Sequence, residues 1–180
     1  MKRLVVTLAL TAVLAGIASA VQAQMPAPKP APEVKKLDYL AGTWKMDGEA
    51  KPGLMGPGGK MIMTEENAWM DGGFFLVAHL KFEGAGMGNG SGISFMGYDP
   101  DQKTYTYDEF NSMGEAEHSE GTIDGDTWTW NSNEKMGVHT MKGRYTMKVL
   151  TPTTYNFKFE LSPDGTTWNT VMDGKATKVK

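Results

Sequence analysis

Five acidic residues, Asp108, Glu109, Glu115, Glu117 and Glu120, crowd around His118. Carboxylates beside an imidazole can bind a divalent cation or act as general acid and base. What they do here depends on how the segment pairs. A hairpin centred on Ser112-Met113 sets Tyr107 opposite His118 and Asp108 opposite Glu117. On that pairing the acids read as the charged, solvated face of a surface hairpin, where like charges are screened and repel weakly. An enzyme would need His118 and the acids to converge with Tyr107 at a cavity mouth.

The other reactive residue types are more dispersed. His79 and His139 have no metal-ligand spacing. His139 shares a strand face with Met141, Tyr145 and Met147, and turned inward it would offer an axial ligand to haem. A histidine held by hydrogen bonds is the simpler reading. Met61 and Met63 place two thioethers on one strand face, which suits Cu(I). Methionine more often fills a core or lines a pocket for apolar ligands. No Gly-x-Ser-x-Gly elbow precedes a helix. The glycine-rich stretches 51–59 and 83–92 fit no phosphate loop, because Gly59-Lys60 is followed by Met61 and the later glycines have the wrong spacing. They read as hairpin loops that could gate one mouth of a barrel. No catalytic residue, metal site or cofactor is therefore assigned.

The elements that position these residues are strands. Apolar residues recur with period two: Phe74, Leu76, Ala78, Leu80 and Phe82; Trp128 and Trp130; Tyr155, Phe157, Phe159 and Leu161. Asp71-Gly72-Gly73, Asp99-Pro100-Asp101, Asp124-Gly125-Asp126, Ser162-Pro163-Asp164-Gly165 and Asp173-Gly174 supply turn chemistry between such runs. About ten strands are expected, near 41–50, 60–69, 74–83, 91–98, 103–111, 114–123, 127–133, 138–149, 153–161 and 167–178. A short helical turn is expected around 33–39. With no crossover segment to interrupt the meander, the fold class is all-β: a single antiparallel up-and-down barrel.

Residues 1–23 read as a signal peptide. Lys2 and Arg3 precede an apolar stretch and then small residues, with cleavage after Ala20 or Ala23. Residues 24–36 read as a proline-rich spacer, and 37–180 as the barrel domain. The expected location is periplasmic or secreted. With no cysteine, the chain has no disulfide, thiol nucleophile or thiolate metal site. Losing Lys2 and Arg3 with the signal moves the net charge from −3 to −5. That acidity argues against nucleic acid and anionic membranes as partners, and no membrane insertion is expected once the signal is cleaved.

Leu40-Ala41-Gly42-Thr43-Trp44, Trp69-Met70-Asp71-Gly72-Gly73-Phe74, Gly97-Tyr98-Asp99-Pro100 and Ser112-Met113-Gly114 occur in an order that resembles the bacterial family called domain of unknown function 1579. The resemblance covers essentially 37–178. It implies a lipocalin-like, or calycin-type, barrel, and the family has no established activity. It further implies that Gly42 and Trp44 are structural, with Trp44 lying across the closed end beneath a cation from the last strand, Lys175 or Lys178. Related haem-binding barrels take their axial histidine from near the C-terminus, and this chain has none after His139.

The expected role is to hold a small apolar or amphipathic molecule in the barrel. The candidate ligand-binding residues are Trp69, Tyr105, Tyr107, Trp128, Trp130, Met141, Tyr145 and Phe157, with Met61, Met63, Leu76, Phe95 and Phe159 also candidates for the lining. The competing expectation is a filled barrel whose surface binds a protein.

Overall fold

The structure, a computed structural model, describes residues 27–54, 56–84 and 88–179. The proposed signal peptide lies outside these residues, as do Met55 and part of the second glycine-rich loop. Ten strands follow one another in antiparallel order and close on themselves. They are β1 (Gly42–Ala50), β2 (Gly59–Trp69), β3 (Leu76–Gly84), β4 (Gly90–Asp99), β5 (Thr104–Asn111), β6 (Ala116–Asp124), β7 (Thr127–Met136), β8 (His139–Thr151), β9 (Thr154–Ser162) and β10 (Asn169–Lys178). Each pairs with its sequence neighbours, and β10 closes the ring on β1 through Trp44 opposite Lys178 to Ala50 opposite Met172. Closure leaves no unpaired strand edge, which removes the usual route to edge-to-edge aggregation.

All ten expected strands form, with ends within a few residues of expectation. The run from Phe74 is apolar on both faces for a local reason. Leu76, Ala78, Leu80 and Phe82 enter the barrel and are buried, whereas Phe75 lies outside as a half-exposed ring over Gly97.

A 3-10 helix, Pro32–Tyr39, plugs one end. Proline opens it, as suits a first helical position that needs no N–H partner. Three residues per turn align Val34, Leu37 and Leu40, and all three are buried. Side chains from the barrel hold the plug. Trp44 Nε1 donates to Leu40 O at 2.8 Å, Tyr105 Oη to Glu33 O at 3.0 Å and Lys178 Nζ to Tyr39 O at 2.9 Å. Trp69 Nε1 donates to Asp38 Oδ1 at 2.9 Å, and Tyr39 Oη donates to Thr154 O at 3.0 Å.

Trp44 is fully buried at the centre of this base, 5.0 Å from the Tyr155 ring. The ammonium over it, at 5.1 Å, belongs to Lys178. Lys175 is exposed on the outer face opposite Asp47. Gly42 has φ 106°, a conformation that a side chain would strain, so the turn into β1 requires glycine there.

Aromatic rings lie flat against the wall where glycine makes room. A Cβ at Gly48 would stand 2.9 Å from Phe157 Cζ, and one at Gly121 would stand 2.8 Å from Trp130 Cδ1. The other end is formed by the β1–β2, β3–β4, β5–β6, β7–β8 and β9–β10 connections. Three of its hairpin tips carry exposed apolar side chains: Leu54, Met113 and Val138.

Candidate functional site: a divided lumen

Register decides what the barrel contains. In the β5–β6 hairpin Tyr107 pairs with Ser119, Asp108 with His118, and Glu109 with Glu117. The expected pairing of Tyr107 with His118 is therefore off by one residue, and the error reverses one strand's faces. The cause is a wider turn than Ser112-Met113. Asn111 Oδ1 accepts the N–H groups of Met113 at 3.0 Å and Glu115 at 3.2 Å, while its Nδ2 donates to Glu115 Oε2 at 2.8 Å. Gly114, at φ 84°, completes the reversal.

The acidic segment thus splits. His118 and Asp108 bond to each other at 2.7 Å on the outside, beside a shallow depression lined by Thr104, Glu120, Asn131 and Lys142. Glu109 and Glu117 point inward. His118 and Tyr107 consequently lie on opposite faces of the wall and form no common site, and the solvated-face reading fails for Glu109 and Glu117.

Successive register partners lay a band across the inner wall that is polar except at Ala78 on β3: Asn67 on β2, Ser94 on β4, Glu109 on β5 and Glu117 on β6. Glu65, two residues before Asn67, shares the inward face, and Glu134 on β7 stands beyond Glu117. Tyr107 Oη donates to Glu109, Ser119 Oγ to Glu117 Oε1 at 2.6 Å, and Ser132 Oγ to Glu134. Ser94 Oγ and Trp130 Nε1 are buried with no hydrogen-bond partner among the described residues, and the Asn67 amide forms no well-aligned hydrogen bond although it lies within reach of the Glu65 carboxyl. Buried polar atoms normally find partners, so each of these needs an explanation.

Burial raises the Glu65 carboxyl to about 7; the nearby Asn67 amide opposes the shift and the Glu109 charge adds to it. Glu117 is likewise pushed up to about 7, chiefly by burial, with Ser119 opposing and Glu134, Glu109 and Glu115 adding repulsion. Burial also raises Glu109, against the Tyr107 hydrogen bond. The phenols of Tyr107, Tyr145 and Tyr155 rise well above their ordinary value for the same first reason.

The facing wall, β7 to β10, is aromatic and thioether-rich. Trp128, Trp130, Tyr145, Met147, Tyr155, Phe157, Phe159 and Met172 point inward from it. Tyr145 stacks on Phe157, with centroids 6.1 Å apart and an interplanar angle of 12°, and Trp130 meets Tyr145 edge-on at 6.4 Å. Met63, Glu65, Tyr107, Glu109, Glu117, Tyr145 and Phe159 all point inward yet are only half-buried.

The eight candidate ligand-binding residues separate by depth. Trp69 and Tyr105 hold the plug, and Trp128 packs beside Tyr39 at 5.7 Å. Tyr107, Trp130, Tyr145 and Phe157 line the middle. Met141 sits higher, opposite Glu134. Phe95 is an outward residue, since Ser94 and Met96 take the inner face. Met61 and Met63 do share the inner face, and Met61 is buried near the mouth. His139 lies exposed at the lip. Among the described residues no three His, Asp or Glu side chains are placed to share one metal ion. Glu65, Asn67, Ser94, Glu109, Glu117 and Glu134 were absent from the expected site. Glu115 and Glu117 at alternate positions, on the same parity as Glu109, are the one signal that could have exposed part of it.

The fold and site define a closed ten-stranded up-and-down β-barrel, lipocalin-like in its Gly-x-Trp plug. The family model described as Protein of unknown function (DUF1579) matches residues 29–178, and the chain belongs to that family. Among solved structures the barrel is similar to Rv2717c from M. tuberculosis, with a TM-score of 0.59 at 11% identity, covering 84% of this chain and 100% of that one. At that identity the likeness is one of fold. No curated protein sequence matches the chain.

Proposed function

We propose that this protein is an exported binding protein that holds a small amphipathic molecule in its lumen. The make-up of the inner wall carries this reading: Glu65, Asn67, Glu109, Glu117 and Glu134 interrupt an otherwise apolar face on β2 to β7, the inward face of β7 to β10 is aromatic and thioether-bearing, and several residues of both are only half-buried. A filled core would favour apolar side chains packed to crystal-like density rather than half-buried acids. The aromatic wall suits an apolar body, because Trp, Tyr and Phe offer large contact area with restricted geometry. The polar wall orients the other end, as a few placed polar groups do in ligand pockets. The plugged base leaves the opposite mouth as the entrance.

The test pairs native mass spectrometry of the purified mature chain with titration by a neutral solvatochromic dye such as Nile red. The expected result is a releasable extra mass, or saturable one-to-one dye binding that quenches Trp130 fluorescence. With no copurified mass and no uptake of neutral, cationic or anionic amphiphiles, lumenal binding fails and the filled-barrel reading replaces it.

A further inference from the structure

Granted lumenal binding as proposed above, we propose that the polar wall selects a cation: the ligand's polar end is a protonated amine, held by Glu65, Glu109 and Glu117 with its alkyl or aryl body against Tyr145, Phe157 and Phe159. Two independent observations converge on this head group. The first is the set of inward carboxylates, with Glu109 directly opposite Glu117 in register. The second is the set of unpartnered polar groups beside them. Asn67 is 5% exposed and Ser94 0%, and Asn67 Oδ1 and Ser94 Oγ are acceptors without a partner among the described residues. Ser94 is the register partner of Glu109 itself.

Acceptors outnumber donors in this space, where the unpartnered donors are Asn67 Nδ2 and Trp130 Nε1. The carboxylates, Asn67 Oδ1 and Ser94 Oγ are acceptors, which suits an ammonium group with several N–H donors. An anion would meet four inward acids. Among the described residues, the strand register places an inward lysine or arginine only at the plugged extreme, Lys178. A metal ion needs ligands gathered around one point, and the acids are spread along the wall. An ammonium group needs only one or two of these acids within hydrogen-bond reach, with the others acting through their charge, and the rings of Tyr145 and Phe157 add cation–π attraction.

Isolation of these acids carries a cost that a cation offsets. Burial holds Glu65 and Glu117 near neutrality at about 7. An ammonium group arriving beside them favours the ionised form, so binding expels protons and strengthens as pH rises through that value. Glu65 is faced by Glu109 and Tyr107 from β5, Tyr145 from β8 and Tyr155 from β9. Glu117 is faced by Glu134 from β7, Glu109 from β5 and Glu115 from the hairpin turn.

The experiment compares dodecylamine, dodecanol and dodecanoic acid, below their micellar concentrations, by calorimetry on the mature chain at about pH 6 and about pH 8. These probes share a tail and differ in head charge. The expected order is amine over alcohol by about tenfold or more, with the acid weakest, as a charge-assisted contact in a shielded site implies. Amine binding releases protons, read from buffers of different ionisation enthalpy. E65Q together with E117Q removes most of the amine's advantage over the alcohol, whereas E66Q with E120Q, on the outer face, leaves that advantage in place. Equal affinity for all three probes, or preference for the acid, overturns the cation assignment while leaving lumenal binding intact. Failure of all three to bind removes lumenal binding and the cation assignment with it.

Discussion

A barrel that buries carboxylates should become less stable as they ionise, and Glu65 gives the sharpest test. Its folded-state value of about 7 stands against an ordinary 4.5. The folded state therefore binds the proton more tightly than the unfolded chain does. Stability from this group is fully present below about 4.5 and is lost as pH rises through about 7. At about 1.4 kcal/mol per pKa unit, the loss is roughly 3 kcal/mol by about pH 8. Glu117 has the same values, but the two acids share Glu109 as a neighbour, so their losses are coupled and do not simply add. Against a typical domain stability of about 5–15 kcal/mol the change is large. The assay is urea unfolding of the ligand-free chain, followed by tryptophan fluorescence between about pH 5 and pH 8. The wild-type midpoint should fall across that range. Glu65→Gln keeps the shape and removes the charge, so it should match wild type near pH 5 and exceed it by about 2–3 kcal/mol near pH 8. A variant whose midpoint tracks wild type at every pH, or falls below it near pH 8, would refute the assignment of Glu65 to a buried lumenal wall.

Two further predictions concern the scaffold. Trp44→Phe leaves the Leu40 carbonyl without its 2.8 Å donor and should cost about 1–3 kcal/mol in urea unfolding. Lys178→Met should cost about 0.5–1 kcal/mol, and the double variant should depart from additivity, because the ammonium lies 5.1 Å from the Trp44 ring. Gly174→Ala would place a Cβ 2.6 Å from Gly48 Cα and 2.5 Å from Phe157 Cζ. It should destabilise by about 1–3 kcal/mol, and adding Phe157→Leu should restore only part of that, since the backbone clash remains.

The acid limb of the stability profile has the opposite sign. Asp164 is held low by the Thr167 and Thr166 N–H groups, Asp99 by the Gln102 N–H group and Asp126 by the Lys148 ammonium. Their contributions are present above the ordinary aspartate value of 3.8 and fade as pH falls. Together with the lumenal glutamates, they place the stability maximum on the acid side of neutrality.

Local sequence determines much of this protein. Alternation in 127–131 and 154–161 sends Trp128, Trp130, Tyr155, Phe157, Phe159 and Leu161 inward, as the structure has them. Turn residues count out ten strands, and Gly42 and Trp44 mark the plugged end. These features are legible because each depends on a residue and its near neighbours: φ preference, period two, ring size. The contents of the lumen are not local. In 105–119 polar residues occupy both faces, so no hydrophobic contrast distinguishes inside from outside. The facing of Glu109 and Glu117 then rests on the parity of one turn, set by the side-chain hydrogen bonds of Asn111. Glu65, Asn67 and Ser94 join them only when β2 and β4 wrap around, because a closed ring brings together side chains far apart in the chain. The sequence by itself determines the barrel, and the tertiary structure decides that acids stand inside it among the apolar side chains.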